Sequence, residues 1–582
     1  MKNTIWIALL LLLTNNIVAQ QTAATQLADA NSEYDIQDNV LIKTKDGAKI
    51  SAIVVRKKSV TAPLPAILQF TIYVREQRDI NSLKEAADKG YVGVMAYTRG
   101  KRYSPQEVYP YEKDGRDAYA VIDWVSKQWW CNGKVGMYGG SYNGFTQWAA
   151  AKKLHPALKT IVPYVANRPG MGLPMENGVF INPNYEWTFY VTNNKWLDTA
   201  VNNDRKRFRT MQWSWWYNGT AYRKIDSIDG VPNKYLQRWL QHPAYDVYWQ
   251  KMVPYKKEFE QITIPVLCFD GYYNDSQVSG LDYLREHTKY NKNAEDYLVI
   301  GPYSHFGAQK GGDSILNGYA VDQVALINTR KITYEWFDYI FKGAPKPAIL
   351  KDKINYEVMG RNEWKSAPSL EKMSNGELKF FLTDTKTDGH YLLTDKKAVK
   401  PGYLFQQVDF ADRETSKNDY YPDPLLRKTL DTANGNFFLS EPLPEPLIIN
   451  GSFSAGIKLS INKKDADIGV TLYEVLPSGE YFHLSYWIGR ASYAKDITTR
   501  KLLVPGAVET VEFSNTRLVS KQLSKGSRLL VVLNINKNSF SQQNYGSGKD
   551  VSDETMEVDA KEPLEIKWWN GSWIKIPVLR VN

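Results

Sequence analysis

The sequence predicts an α/β domain built on parallel strands, interrupted by a helical insertion and followed by an all-β sandwich. Three observations predict it. From residue 66 to residue 359, short runs rich in Val, Ile, Phe and Tyr alternate with stretches of helical periodicity, which is the pattern of a parallel sheet covered by helices on both faces. Between 168 and 258 that alternation breaks and tryptophans crowd the chain. After about residue 375 helical periodicity vanishes, and short apolar runs stand between clusters of Gly, Pro, Asn and Asp.

Length and composition set the frame. A chain of 582 residues is too long for one hydrophobic core, and about two to four domains are expected. Hydrophobic residues make up 43% and aromatic residues 13%, a globular composition. The formal charge of +10 is the balance of 73 basic against 63 acidic residues, and no Lys/Arg run exceeds three. This reads as a solvated surface, and with no basic cluster or known motif a nucleic-acid partner is not expected. Residues 1–20 have the outline of a signal peptide. Lys2 gives a positive start, Ile5 to Leu13 is apolar but too short to span a bilayer, and Ala19 precedes Gln20. Polar Thr14, Asn15 and Asn16 argue against an N-terminal anchor, and no Cys stands near the cleavage region for lipid attachment. The mature chain is therefore expected to be periplasmic or secreted, with no membrane span. Cys131 and Cys268 alone exclude a disulfide framework. One bridge stays open, although each flanks an apolar strand and a buried thiol is expected.

In chain order, residues 33–60 alternate apolar and polar positions, as an antiparallel lead-in would. Ala66–Phe70 is a strand, Gln77–Lys89 a helix ending at Gly90, Tyr91–Tyr97 a strand, and Gly115–Gln128 a helix with Ala118, Val121, Ile122 and Val125 on one face. Val135–Tyr138 is the next strand, Phe145–Leu154 a helix and Lys159–Val162 a strand. The insertion 168–258 holds Trp187, Trp196, Trp213, Trp215, Trp216, Trp239 and Trp249. It reads as a helical cap with an aromatic wall, although any one of these tryptophans serves equally well as core. The sheet resumes at Ile264–Phe269, with Asp270 as the strand's last residue. A helix at Val278–Thr288, a strand at Tyr297–Ile300, a long helix at Val321–Phe341 and a strand at Ile354–Met359 follow. The predicted division is a signal peptide at 1–20, the α/β domain in two parts at 33–167 and 259–370, the cap at 168–258, and the β-sandwich at 375–582. Its strand candidates include Phe380–Leu382, Ile457–Ile461, Ile468–Glu474, Arg528–Ile535 and Trp568–Val578.

The chemistry centres on Gly139-Gly-Ser-Tyr-Asn-Gly144, between a strand and a helix. This placement is that of a nucleophile elbow, a tight turn that lifts a serine hydroxyl above a parallel sheet and beside a helix N-terminus. The usual pattern is G-x-S-x-G, and here the second glycine comes one residue late. By itself the hexapeptide fits an ordinary Gly-Ser turn equally well. A serine nucleophile needs a base, and the chain has only six histidines. His390 and His483 lie in the β domain, His242 in the cap, His155 at the far end of the elbow helix, and His287 inside a helix. His305 remains, in the loop after Tyr297–Ile300, at the sheet edge where such folds bind ligands. The orienting acid should lie between the two in sequence, in the loop after Ile264–Phe269, where Asp270 and Asp275 stand.

A set of motifs runs in order along nearly the whole mature chain. It comprises Tyr97-Thr-Arg-Gly100, Trp130-Cys-Asn-Gly-Lys-Val-Gly-Met-Tyr-Gly-Gly-Ser-Tyr-Asn-Gly144, His242-Pro-Ala-Tyr-Asp-Val-Tyr-Trp249, Gly271-Tyr-Tyr-Asn-Asp275, Gly301-Pro-Tyr-Ser-His305 and Tyr356-Glu-Val-Met-Gly360. With these the sequence resembles the serine hydrolases related to X-Pro dipeptidyl-peptidase, cocaine esterase and the α-amino acid ester hydrolases. Asp467 to Gly479 and Leu503-Val-Pro-Gly506 resemble that family's jelly-roll domain. The resemblance implies an α/β-hydrolase with an inserted helical cap and a C-terminal jelly roll. It implies Ser141 as nucleophile, His305 as base, and an oxyanion hole from the Tyr142 backbone N–H and the Tyr73 hydroxyl. The late glycine is normal there. One departure stands out: the family's acid position is Asn274, with Asp275 next. Either the loop shifts by one and Asp275 serves, the favoured reading, or Asn274 orients the imidazole without charge. Ser276 and Gln277 replace the acids that α-amino acid ester hydrolases use to bind an ammonium, which argues against that specificity.

The expected function is hydrolysis of an ester or amide through an acyl-enzyme, with Ser141, His305 and Asp275 as triad and no metal or organic cofactor. Substrates would be small esters, amides or short peptides, and a homo-oligomer stays open. An X-Pro-type exopeptidase is the rival within the class. A hydrolase-fold binding protein, impaired through Asn274, is the rival outside it.

Overall fold

The computed structural model describes residues 33–415, 420–431, 435–514 and 516–580. The predicted signal peptide lies outside them. A ten-stranded sheet forms the first unit. Its strands are β1 (Tyr34–Lys43), β2 (Lys49–Lys57), β3 (Leu64–Thr71), β4 (Val92–Tyr97), β5 (Cys131–Gly140), β6 (Leu158–Tyr164), β7 (Val266–Tyr273), β8 (Asp296–Ser304), β9 (Ile354–Val358) and β10 (Glu363–Ala367). They lie in the order β1-β2-β4-β3-β5-β6-β7-β8-β9-β10. Pairing is parallel from β4 to β9 and antiparallel at both ends. The central strands are buried along nearly their whole length, as a sheet covered on both faces requires.

Helices α1 (Glu76–Asp88), α2 (Asp114–Ser126), α3 (Tyr142–Ala151), α4 (Pro183–Thr192), α5 (Arg205–Asn218), α6 (Gln277–Tyr290) and α7 (Thr329–Lys342) are the long ones among the described residues. Helix α3 buries Trp148, which stacks on Tyr283 of α6 at 4.8 Å between ring centroids. Against β5, Gly136 leaves room for Phe337 and Phe341 of α7, each about 3.0 Å from where its Cβ would sit. Segment 183–261 is mostly short helices, and it contains α4 and α5.

Three expectations are corrected. Asp270 does not end its strand. Gly271, Tyr272 and Tyr273 continue β7, because both tyrosines are buried and the Tyr273 hydroxyl donates to the His483 carbonyl of the β domain at 3.0 Å. Residues 321–328 are not part of the long helix: Gln323–Ala325 makes a single 3₁₀ turn, and α7 starts at Thr329. Asn328 caps α7 by accepting from Lys331 N–H at 2.9 Å, and the preceding chain pairs instead with Gly311 and Ser314. Trp568–Val578 is broken in the middle: Leu564–Trp569 and Trp573–Leu579 run in the same direction along Ser454–Ile461, and Asn570-Gly571-Ser572 interrupts the ladder between them, with Gly571 at φ +90°.

The second unit, from Gly376, is a fourteen-stranded β structure. Its pairs are antiparallel except Tyr391–Leu392 against Phe438–Leu439. It is tied directly to the first. Met359 at the end of β9 exchanges backbone hydrogen bonds with Ser520 and Gln522, and Gln277 bonds both N–H and C=O of Leu518. Cys131 and Cys268 are buried and free. No helix among the described residues is long and apolar enough to cross a membrane.

Candidate active site

Ser141 stands between β5 and α3 with φ +61° and ψ −120°. A side chain in that region is strained and persists only where its surroundings fix it. Here they do. Ser141 N–H donates to Tyr164 O at 3.0 Å, and Ser141 O accepts from the Gly144 and Phe145 N–H groups. A Cβ on Gly144 would lie 2.8 Å from Ala166 Cα, so only glycine lets α3 approach β6. The helix thus begins at Tyr142, directly after the serine, rather than at Phe145. Tyr142 N–H is one of the N-terminal amides that have no intrahelical acceptor.

Strand order brings the other groups in. Strand β3 is the neighbour of β5, so Tyr73, just past the end of β3, stands beside Ser141. Its hydroxyl accepts from Trp187 Nε1 at 3.1 Å and is in hydrogen-bonding contact with the Ser141 side chain. Burial pushes the Tyr73 pKa up despite both contacts, so the phenol keeps its proton. The Tyr142 ring is buried beneath, its hydroxyl donating to Asp114 Oδ2 at 2.9 Å and accepting from Tyr111 N–H at 2.9 Å.

Strands β7 and β8 are also neighbours, in a register that pairs Gly271 with Gly301 and Tyr273 with Ser304. The residues that follow, Asn274 and His305, therefore meet. His305 Nδ1 donates to Asn274 Oδ1 at 2.8 Å. Asp275 Oδ1 lies 3.1 Å from the same nitrogen, as an ion-pair partner. Both predicted candidates thus reach the ring. Asn274 is buried, whereas the Asp275 side chain is 43% exposed. Burial alone would lower the His305 pKa, but the Asp275 charge and contact and the Asp270 charge outweigh it, so it is raised. Burial alone would raise Asp275, but His305, Ser276 N–H and Arg517 outweigh it, so it is lowered. Asp270 lies behind Asn274, its carboxyl accepting from Asn274 Nδ2 at 2.8 Å. Its burial pushes its pKa up to about 7.

Ser141, His305, Tyr73, Asp275 and Trp187 line one cavity of about 550 Å³. A larger cavity of about 710 Å³ adjoins it through Leu173, Pro183 and Asp275 and runs against the β domain at Tyr486 and Arg517. Of the two, only the smaller holds the serine and the imidazole. The other histidines are placed elsewhere. His287 is buried between Asp296 and the Ile262 carbonyl, and His483 is buried in the β domain, where desolvation lowers its pKa to about 3. His155 lies near Asp123, His242 stacks on Tyr248, and His390 follows a β turn. Among the described residues no group of three or more His, Cys, Asp or Glu is placed to hold a metal.

The sequence offered Asp270 as a candidate acid but did not show that it stands behind Asn274, just past the end of β7. Trp187 could not be told from a core tryptophan. Arg517, which donates to the Asp275 carbonyl at 2.9 Å, comes from the other unit and left no local signal.

Residues 46–307 match the X-Pro dipeptidyl-peptidase (S15 family) model, and residues 350–557 match the X-Pro dipeptidyl-peptidase C-terminal non-catalytic domain. A cocaine esterase of Rhodococcus sp. (strain MB1 Bresler) is 24% identical, over 91% of this chain and 96% of its own length. Among solved structures, an aminopeptidase from a marine sediment Thaumarchaeota archaeon aligns with a TM-score of 0.74 at 20% identity, over 94% of this chain and 97% of its own. An α-amino acid ester hydrolase aligns with a TM-score of 0.73 at 21% identity, over 94% and 97%. The latter two likenesses speak to the fold.

Proposed function

This chain belongs to the X-Pro dipeptidyl-peptidase (S15) family of serine hydrolases, and from that premise we propose that it cleaves an ester or amide bond by way of an acyl-enzyme on Ser141. The observation that carries the reading is the shared cavity, where a strained Ser141 and His305 face the same space while the ring's far nitrogen is held by oxygen acceptors. His305 Nε2 takes the proton as Ser141 Oγ attacks the carbonyl carbon. The developing oxyanion is received by Tyr142 N–H and the protonated Tyr73 hydroxyl, a type of stabilisation worth about 10²–10³ in rate per donor. His305 then gives the proton to the leaving alcohol or amine, and the acyl-enzyme forms. Water, deprotonated by His305, attacks the acyl carbon and releases the acid and the free serine.

Asp275 at 3.1 Å from Nδ1 supplies the charge that Asn274 lacks, which favours an enzyme over a binding protein. The aromatic wall of the cavity, with Tyr73, Tyr164, Trp187 and Tyr190, suits an apolar or aromatic acyl group. We also propose that the chain is exported, on the strength of the apolar run Ile5–Leu13. N-terminal sequencing of protein from the native periplasm or medium should start near residue 20, and an intact Met1 would end that proposal.

A fluorophosphonate probe should label the wild type at Ser141 and fail to label Ser141→Ala. Turnover in the variant should vanish while its melting temperature stays, because the change removes one hydroxyl from a cavity. Residual wild-type-like turnover would overturn the assignment. p-Nitrophenyl esters tested beside Xaa-Pro anilides separate the esterase from the exopeptidase.

A further inference from the structure

Asn274 occupies the place of a triad acid, and an amide has a difficulty that a carboxylate does not. Its ends differ, since Oδ1 accepts and Nδ2 donates, yet the side chain fills the same space either way round. With Oδ1 toward His305, Nδ1 carries the proton and Nε2 keeps a lone pair for Ser141. With Nδ2 toward His305, Nδ1 must accept and the proton moves to Nε2. The imidazole then cannot take a proton from the serine.

The structure has the first arrangement, and the groups around the amide agree on it. Nδ1 of His305 donates to Oδ1 at 2.8 Å. Ser276 N–H and Ser276 Oγ, each 3.3 Å away, add donors on the same oxygen. On the other side, Asn274 Nδ2 donates to Asp270 Oδ1 at 2.8 Å. The two residues are 1% and 2% exposed. Asp270 is itself fixed, because its Oδ1 also accepts from Gly271 N–H at 2.8 Å. Room for its carboxyl comes from Gly280 of α6, where a Cβ would collide with Asp270 Oδ2. A flipped amide would set oxygen against the Asp270 carboxyl and N–H against Ser276 N–H, among residues that are all buried.

We propose that Asp270 is a positioning residue for the hydrolysis: by accepting from Asn274 Nδ2 it locks the amide, and through it the Nδ1–H tautomer of His305. This rests on the Ser141–His305 reading above. The work of a single triad acid is thus divided in this chain. Asn274 with Asp270 behind it gives direction, and Asp275 beside the ring gives charge.

The test uses full-length protein labelled with ¹⁵N-histidine, because the imidazole tautomer can be read by NMR without turnover. Wild type should show the Nδ1–H form at His305, assigned by its loss in His305→Gln. Asp270→Leu fills the space but leaves Asn274 Nδ2 and Gly271 N–H without their acceptor. It should shift His305 toward the Nε2–H form and lower kcat by about 10²–10⁴, with little change in KM. Asp270→Asn keeps an Oδ1 where both donors point, so it should hold the tautomer and stay within about tenfold of wild type. The proposal is overturned if folded Asp270→Leu leaves the tautomer in place, or if Asp270→Asn loses the tautomer as Asp270→Leu does. Should Asp270→Leu not fold, Asp270→Ala, which also lacks the acceptor, takes its place. Should wild type neither turn over nor take a fluorophosphonate, the Ser141 reading fails and the tautomer measurement still judges the Asp270 lock.

Discussion

At His305 two opposing effects meet. Burial disfavours the imidazolium, while the Asp275 carboxylate at 3.1 Å favours it, and the charge wins. The ring must be neutral to accept the serine proton. Activity should therefore rise with pH, with a midpoint above the ordinary imidazole value of about 6.5. Asp275→Asn removes the nearer charge and leaves burial with less to oppose it, so the midpoint of kcat/KM against pH should move down. An unmoved midpoint would deny Asp275 any electrostatic part. Ser141 and His305 were legible in the sequence, one from its glycines and the other by elimination among six histidines. The choice between Asn274 and Asp275 was not, because adjacent residues in a loop can each turn either way until neighbouring strands fix the register.

Strand β9 carries an internal strain that shows what an element tolerates. Glu357 is fully buried, and its carboxyl faces the Asp322 carboxylate, an acceptor it can meet only when it carries a proton. Burial, aided by the nearby Asp322 carboxylate, pushes its pKa up to about 9. The folded state therefore holds a proton that the unfolded chain, with an ordinary glutamate near 4.5, has released at neutral pH. The folded state binds more protons in that window, so this residue's contribution to stability falls as pH rises from about 4.5 to about 9. The loss is about 3 kcal/mol by pH 7. Glu357→Gln removes the titration. It should raise the melting temperature at pH 8 and leave it nearly unchanged at pH 4.5. An equal effect at both would mean that packing, not ionisation, governs the site. The periodicity identified β9 well, but an apolar strand pattern says nothing about what its single acid will face.

Across the whole molecule, the β unit reaches into the site loop through Arg517. Its guanidinium pairs with Glu176 through two bonds of 2.7 Å, lies 3.7 Å from the Tyr486 ring centroid, and donates to the Asp275 carbonyl. The pair is 95% buried on both sides. Arg517→Met would leave Glu176 buried and uncompensated, which costs about 3–5 kcal/mol. Arg517→Met/Glu176→Gln should restore the melting temperature while kcat stays low, because the Asp275 carbonyl still lacks its donor. Recovery of kcat along with stability would show that the β unit only supports the fold. Gln277, at the start of α6, ties the same two units by bonding both backbone groups of Leu518.

The sequence by itself determined the order of most strands and helices, the change to all-β after about 375, the turn at Ser141 and the choice of His305 as candidate base. Each is written in local periodicity, in glycine placement, or in the scarcity of a residue type. Tertiary structure alone decided that β3 lies beside β5 and β7 beside β8, and hence that Tyr73 meets Ser141 and that Asn274, Asp275 and His305 converge. It alone placed Asp270 behind the amide and Arg517 behind the loop. These are contacts between residues distant in the chain or facing one another across a buried surface. They depend on sheet order, register and side-chain direction, which no stretch of sequence specifies before the sheet has closed around it.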